Sequence, residues 1–194
     1  MTNDILEQIT EDYLREDGYF TQHNISYRPK SWKQTPSDID VIAIHPKKEG
    51  VDKVRVVSCK SWQSGLNISA LLRDLTKDPT KVIQGKERQK LFREIADSEW
   101  SKAVSEKVFE LTGQKTFTFY ITATHIIGDK TKWENFEMFK KNLPDCDIKL
   151  LSMQDMITEI VNRKQDTKIP VHSQIGRFLQ LIKAADGKVK FDTV

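Results

Sequence analysis

The chain has 194 residues, enough for one domain whose core needs no disulfide or metal staple. Hydrophobic residues make up 38% and charged residues 30%, which excludes a disordered chain, and no apolar run exceeds four residues, as in Val41 to Ile44, which excludes a membrane-spanning helix. The formal net charge of +3 is too small to name a partner by itself.

The distribution of charge says more. Residues 1–20 set six carboxylates against Arg15, a net of −5. Residues 73–93 carry a net of +4 and residues 162–190 a net of +5. Clustered cations of this kind are the footprint of a polyanion partner, or else solvated helix faces. The first residues, Met-Thr-Asn-Asp-Ile-Leu-Glu, have no basic region followed by an apolar one, so no secretory signal is expected. Two cysteines, Cys59 and Cys146, fit neither a disulfide framework nor a zinc knuckle, and a cytoplasmic protein is expected.

In chain order, residues 3–17 predict a helix with Leu6, Ile9, Tyr13 and Leu14 on one face, capped by Asn3 and ended by Gly18. Residues 19–27 read as a strand, and 28–37, with Pro29 and Pro36, as a loop. Residues 38–45 and 53–60 are strands joined by a turn at Gly50, an antiparallel hairpin. Residues 66–112 read as helical with breaks near Pro79 and Ser98, and 116–124 as the clearest strand. A helix at 131–141, a strand at 147–152, a helix at 153–163, a linker at 164–170 and a last helix at 171–185 complete the chain. The order predicts an α/β fold: a mixed central sheet with helices on both faces. The main unit spans 1–163, and the basic linker and helix of 164–194 are expected to pack on it.

One constellation carries chemistry. Asp38 and Asp40 lie two apart on one strand, as do Ser58 and Lys60 on the next, so each pair shares a face. Pairing of the two strands brings Asp40 towards Lys60. Buried alone, either group is expensive. Together they can hold a divalent cation with hard oxygen ligands and an activated water, with Lys60 orienting the water or stabilising phosphoryl charge.

These residues resemble a known family. Glu7-x5-Tyr13-Leu14-x3-Gly18-Tyr19, then Ser37-Asp38-Ile39-Asp40-Val41-Ile42-Ala43, then Val56-Val57-Ser58-Cys59-Lys60-Ser61-Trp62 are similar to the first helix and strands of the PD-(D/E)xK nuclease superfamily. The resemblance covers about residues 3–62. It implies a restriction-endonuclease-like fold and a Mg²⁺- or Mn²⁺-dependent endonuclease of DNA. Asp40, Glu7 and the Cys59 backbone carbonyl would hold the metal, with Lys60 and Ser58 completing the catalytic set. Where the family places a carboxylate, this chain has Ser58. Some restriction enzymes with Ser-x-Lys recruit a carboxylate from the following helix, and Asp74 stands at that offset.

Arg28, Lys30, Lys33, Arg73, Lys77, Lys81 and Gln84 are the residues expected at the nucleic acid. Glu11 is an alternative to Glu7, and Asp38 is either a second ligand or a turn cap. None of the four histidines shows paired metal-ligand spacing. Trp32 and Trp62 can stack on splayed bases or pack at the core rim. Trp100, Phe109, Phe136 and Phe139 fall at core spacing. The resemblance also allows two copies to pair so as to cut both strands, in a defence, recombination or repair complex. The alternative is a degenerate module on the same fold that binds nucleic acid or a protein partner.

Overall fold

The computed structural model describes residues 4–33, 35–77, 92–163 and 174–184. Helix α1 (Ile5–Glu16) leads through Gly18 into strand β1 (Phe20–Tyr27). The cap is Asp4, not Asn3: its carboxylate accepts from Leu6 N at 2.7 Å. Gly18 closes the helix in the left-handed region (φ 85°), and a Cβ there would sit 2.9 Å from His45 Nε2, so only glycine suits both the turn and the contact.

Strands β2 (Ser37–Ile44) and β3 (Val54–Lys60) follow, joined by a short 3₁₀ turn at Gly50–Asp52. They form the predicted antiparallel hairpin, Val41 opposite Val57 through Ile44 opposite Val54. Strands β5 (Thr118–Ala123) and β7 (Asp147–Ser152) then add in parallel, giving a five-stranded mixed sheet in the order β1-β2-β3-β5-β7. A small second sheet pairs β4 (Leu66–Asn67) with β6 (Ile126–Ile127).

Helices cover both faces. On one side, α2 (Ile68–Lys77), α3 (Arg93–Ala96), α4 (Ser98–Thr112), α5 (Lys130–Glu134) and α6 (Glu137–Asn142) bury Phe92, Trp100, Trp133 and Phe139 against Val54, Val56, Phe119 and Ile121. On the other, α1 and α7 (Met153–Arg163) bury Leu6, Ile9, Leu14, Met156 and Ile160 against Val41, Ala43 and Val57. Helix α8 (Gln174–Ala184) packs Ile175 and Leu179 into this second layer; the rest of the stretch from 164 to 194 lies outside the described residues. Among the described residues, no helix is long and apolar enough to cross a membrane.

Several expectations need correction. The long helical stretch at 66–112 begins as a two-residue strand, and the part from 78 to 91, with Pro79, lies outside the described residues. The helix expected at 131–141 is two helices, broken where Phe136 turns inward and its N–H bonds Trp133 O at 3.1 Å. Asp38 is not a turn cap: it lies within β2 and accepts from Ser26 Oγ at 2.6 Å. Phe109 stands 48% exposed, whereas Trp100 and Phe139 are in the core.

One irregularity positions the site. β1 and β2 pair on both sides of Asn24 and Asp40, with His23 opposite Val41 and Ile25 opposite Ile39, but Asn24 itself is left-handed (φ 51°). Asparagine tolerates that conformation better than other side chains with a Cβ. Beside the kink, Ile39 packs in the first core layer and Val41 in the second, although residues two apart on a regular strand share a face. The strand therefore rotates at Asp40. Its pairing with β3 starts only at Val41, so β2 and β3 splay apart where Asp40 and Lys60 lie.

Candidate functional site

In the opening between β2 and β3, Asp40 Oδ2 accepts the backbone N–H of Cys59 at 2.6 Å. The carboxylate takes the place of a strand carbonyl, so it is fixed by the sheet itself. Ser58 and Lys60, on the same face of β3, line a cavity of about 350 Å³ together with Ser37, Asp38, Asp40, Arg93 and Glu94. Ser58, Lys60 and Glu94 are almost wholly buried, at 5%, 9% and 5% exposure. Lys60 Nζ donates to Ser58 Oγ at 2.7 Å and stands 3.9 Å from Glu94 Oε1, an ion pair too long to be a hydrogen bond.

Glu94 is the residue that sequence reasoning missed. It sits in the first turn of α3, and its neighbours Phe92 and Ile95 are fully buried. Ser101 Oγ bonds Glu94 O at 2.9 Å and Asn142 Nδ2 bonds Ile95 O at 3.0 Å, tying α3 to α4 and α6. The only signal in the sequence is an acid framed by apolar Phe92, Ile95 and Ala96 at the end of a basic stretch. Arg93, counted only as part of that stretch, also lines the cavity, and its guanidinium lies over the Trp100 ring, 3.6 Å from the centroid.

Burial raises the pKa of Asp40 above its ordinary value, Lys60 and the Cys59 N–H oppose the rise, and Asp38 adds to it. Burial likewise raises Glu94, against Lys60 and with a further push from Asp40. Asp40, half-buried, and Glu94, buried, thus share one cavity with Lys60, and Asp38 and Arg93 also line it. A hard cation fits this donor set: two carboxylates and a hydroxyl, all oxygen. Among the described residues, no group of three or more His, Cys, Asp or Glu side chains gathers at one point. A Mg²⁺ ion needs no such group, since it is commonly held by one or two carboxylates plus waters and phosphate oxygens.

The other expected residues divide. Glu7, half-buried in the first turn of α1, has its pKa raised by burial first and then by Asp40, so it approaches Asp40 from the α1 side without lining the cavity. Glu11 does not substitute for it: Glu11 is engaged by Arg15, Thr21 and, at 2.7 Å, His23. The Cys59 thiol faces away, between Thr122 Oγ1 at 3.2 Å and Thr10 Oγ1 at 3.7 Å, and burial pushes it up to about 12.

Asp74 is a correction. It is half-exposed on α2, pairs with Arg73 at 3.7 Å, and lines a separate cleft. The chain leaves β3 through β4, whose pairing with β6 sets α2 beside that cleft, and the second carboxylate of the cavity comes from α3 instead.

Arg28, Lys30 and Lys33 are exposed on the segment that ends at Pro36 and Ser37 in the cavity wall. Arg73 and Lys77 are exposed on α2, and Lys81 and Gln84 lie outside the described residues. Trp32 packs edge-on against Trp100 and Trp62 against Phe92, both at the rim of the core.

No family model matches the chain, and no curated protein does. Among solved structures, it is similar to a protein of unknown function, AF1548, at 11% identity with a TM-score of 0.37. That match covers 79% of this chain and 64% of the other, so the chain spans less than two thirds of its length.

Proposed function

We propose that the protein is a Mg²⁺-dependent endonuclease that hydrolyses phosphodiester bonds in DNA. The observation that carries the reading is the one cavity that gathers two carboxylates, half-buried Asp40 and buried Glu94, with Lys60. Asp40 and Glu94 would hold the ion, with Glu7 adding negative charge from α1 and the Cys59 carbonyl kept as a ligand by resemblance. Mg²⁺ would supply Lewis acidity and a nucleophilic water near neutral pH. Lys60, held by Ser58, keeps a cation beside the position where the phosphoryl group gains charge. Arg93, held over the Trp100 ring, would donate its N–H groups to a phosphate oxygen. Arg28, Lys30 and Lys33 follow the backbone of the strand beyond it. Two free thiols suit a reducing compartment such as the cytoplasm.

The Lys60–Ser58 hydrogen bond, which satisfies the lysine within the protein, favours a second reading. On that reading the site is catalytically retired, and the module binds nucleic acid or a protein partner. Supercoiled plasmid and linear single-stranded DNA, each with Mg²⁺, Mn²⁺ or EDTA, separate the two. The nuclease reading expects metal-dependent nicking, lost in Asp40→Ala, Lys60→Ala and Glu94→Ala but kept in Asp74→Ala. A folded wild type that cuts neither DNA overturns the nuclease reading and favours the second.

A further inference from the structure

Beside the cavity lies a second, larger cleft of about 820 Å³, walled by Trp62, Ala70, Leu71 and Ile127, with Gln63, Asn67 and the carboxylate of Asp74 among its polar lining. We propose that this cleft receives an unstacked nucleobase of the DNA strand bound at Asp40 and Lys60, so that the substrate class is single-stranded or locally unpaired DNA. The inference rests on the nuclease reading and deepens it.

The wall is built rather than incidental. Gly65 is left-handed (φ 66°), and a Cβ there would fall 2.4 Å from His125 Nε2, so the loop after β3 is seated directly on that ring. Gly65 N bonds Trp62 O at 2.9 Å, Thr124 Oγ1 bonds the same carbonyl at 2.5 Å, and Leu66 N bonds His125 O at 2.9 Å. These bonds fix Trp62, whose ring meets Phe92 in a T-shaped contact (centroids 6.2 Å apart, planes at 86°) and which lines the cleft. The volume and the mostly apolar lining with a few polar groups are those of a preformed small-ligand site.

A flat aromatic wall with apolar side chains opposite accepts any base by stacking, and the two rim amides offer donors and acceptors to its edge. Position decides the occupant. Trp62 is two residues from Lys60, and two residues of chain reach at most about 7 Å. A strand whose phosphate sits at Lys60 therefore carries a neighbouring base to the cleft, and only an unpaired base can leave its stack to enter it.

The test is a fluorescence titration in EDTA, which reads the cleft without turnover. The probes are a dodecamer of thymidine and a dodecamer of abasic sugar-phosphate units. Trp100 and Trp133 are buried at 4% and 0% exposure, so quenching reports on the partly exposed tryptophans. The expected result is saturable quenching by the thymidine strand and none by the abasic one. Trp62→Ala should weaken binding roughly 5- to 150-fold, the range for one lost base–aromatic stack. Ala70→Leu, which fills the cleft and leaves Trp62 in place, should weaken it too, while Trp32→Phe should not. Equal quenching by the abasic strand, or full binding by Ala70→Leu, overturns the base site. A protein that quenches through Trp62 yet cuts neither plasmid nor linear single-stranded DNA loses the nuclease reading and keeps the base site.

Discussion

Asp40 and Glu94 are each raised in pKa chiefly by burial, and each raises the other or is raised by a neighbouring acid. A carboxyl held above its ordinary value binds protons more readily folded than unfolded. Its contribution to stability is complete below the unfolded pKa and is lost as pH rises through the folded one. In EDTA, melting temperature should therefore fall as pH rises above the ordinary carboxylate range, and Asp40→Asn with Glu94→Gln should flatten that fall. Mg²⁺ or Mn²⁺ binds the ionised form and should reverse the trend, raising the midpoint most at the higher pH. Thermal melts across pH, with and without metal, read both effects. Asp74→Ala should keep the metal-induced rise and Glu94→Gln should lose it.

At the scale of elements, the kink in β1 sets the site. Asn24→Gly should be tolerated, because glycine adopts the left-handed region freely. Asn24→Val forces a β-branched side chain into it at about 1–2 kcal/mol, visible as a lower melting temperature. It should also cut nicking, because Asp40 lies opposite. The hairpin, the central strand and α1 were legible in the sequence because alternation, turn residues and helical spacing are local signals. Asp40 and Lys60 were legible for the same reason, being brought together by one hairpin. The second carboxylate was not. Asp74 stood at the offset the resemblance suggested, but β4 pairs with the distant β6, a contact that no local pattern announces. Glu94 reaches the cavity through packing of Phe92 and Ile95, which is a property of the whole core. The break at Phe136 was likewise hidden, since its sequence keeps helical spacing while the ring turns in towards Phe139.

Across the whole molecule, charge is segregated. The acidic residues of 1–20 lie on α1 and the turns at its two ends, whereas Arg28, Lys30 and Lys33 are exposed on the segment that runs into the cavity wall at Pro36. Binding of DNA should therefore weaken steeply with salt. Replacing any of these three cations by alanine should shrink the log–log salt slope by about 0.9 for duplex or 0.7 for single-stranded DNA, as expected for one phosphate contact. Lys149→Ala, on the far strand where it pairs with Glu134 at 3.4 Å, should leave the slope unchanged. Fluorescence anisotropy at several salt concentrations measures this.

The short bond from Cys59 N–H to Asp40 gives the molecule its own spectroscopic probe. A backbone proton shared with a carboxylate at 2.6 Å resonates well downfield of an ordinary strand amide. Protonating Asp40, or drawing its oxygen towards a cation, must move that one resonance. In ¹⁵N-labelled protein the Cys59 cross-peak would follow occupancy of the site directly, before any substrate is added.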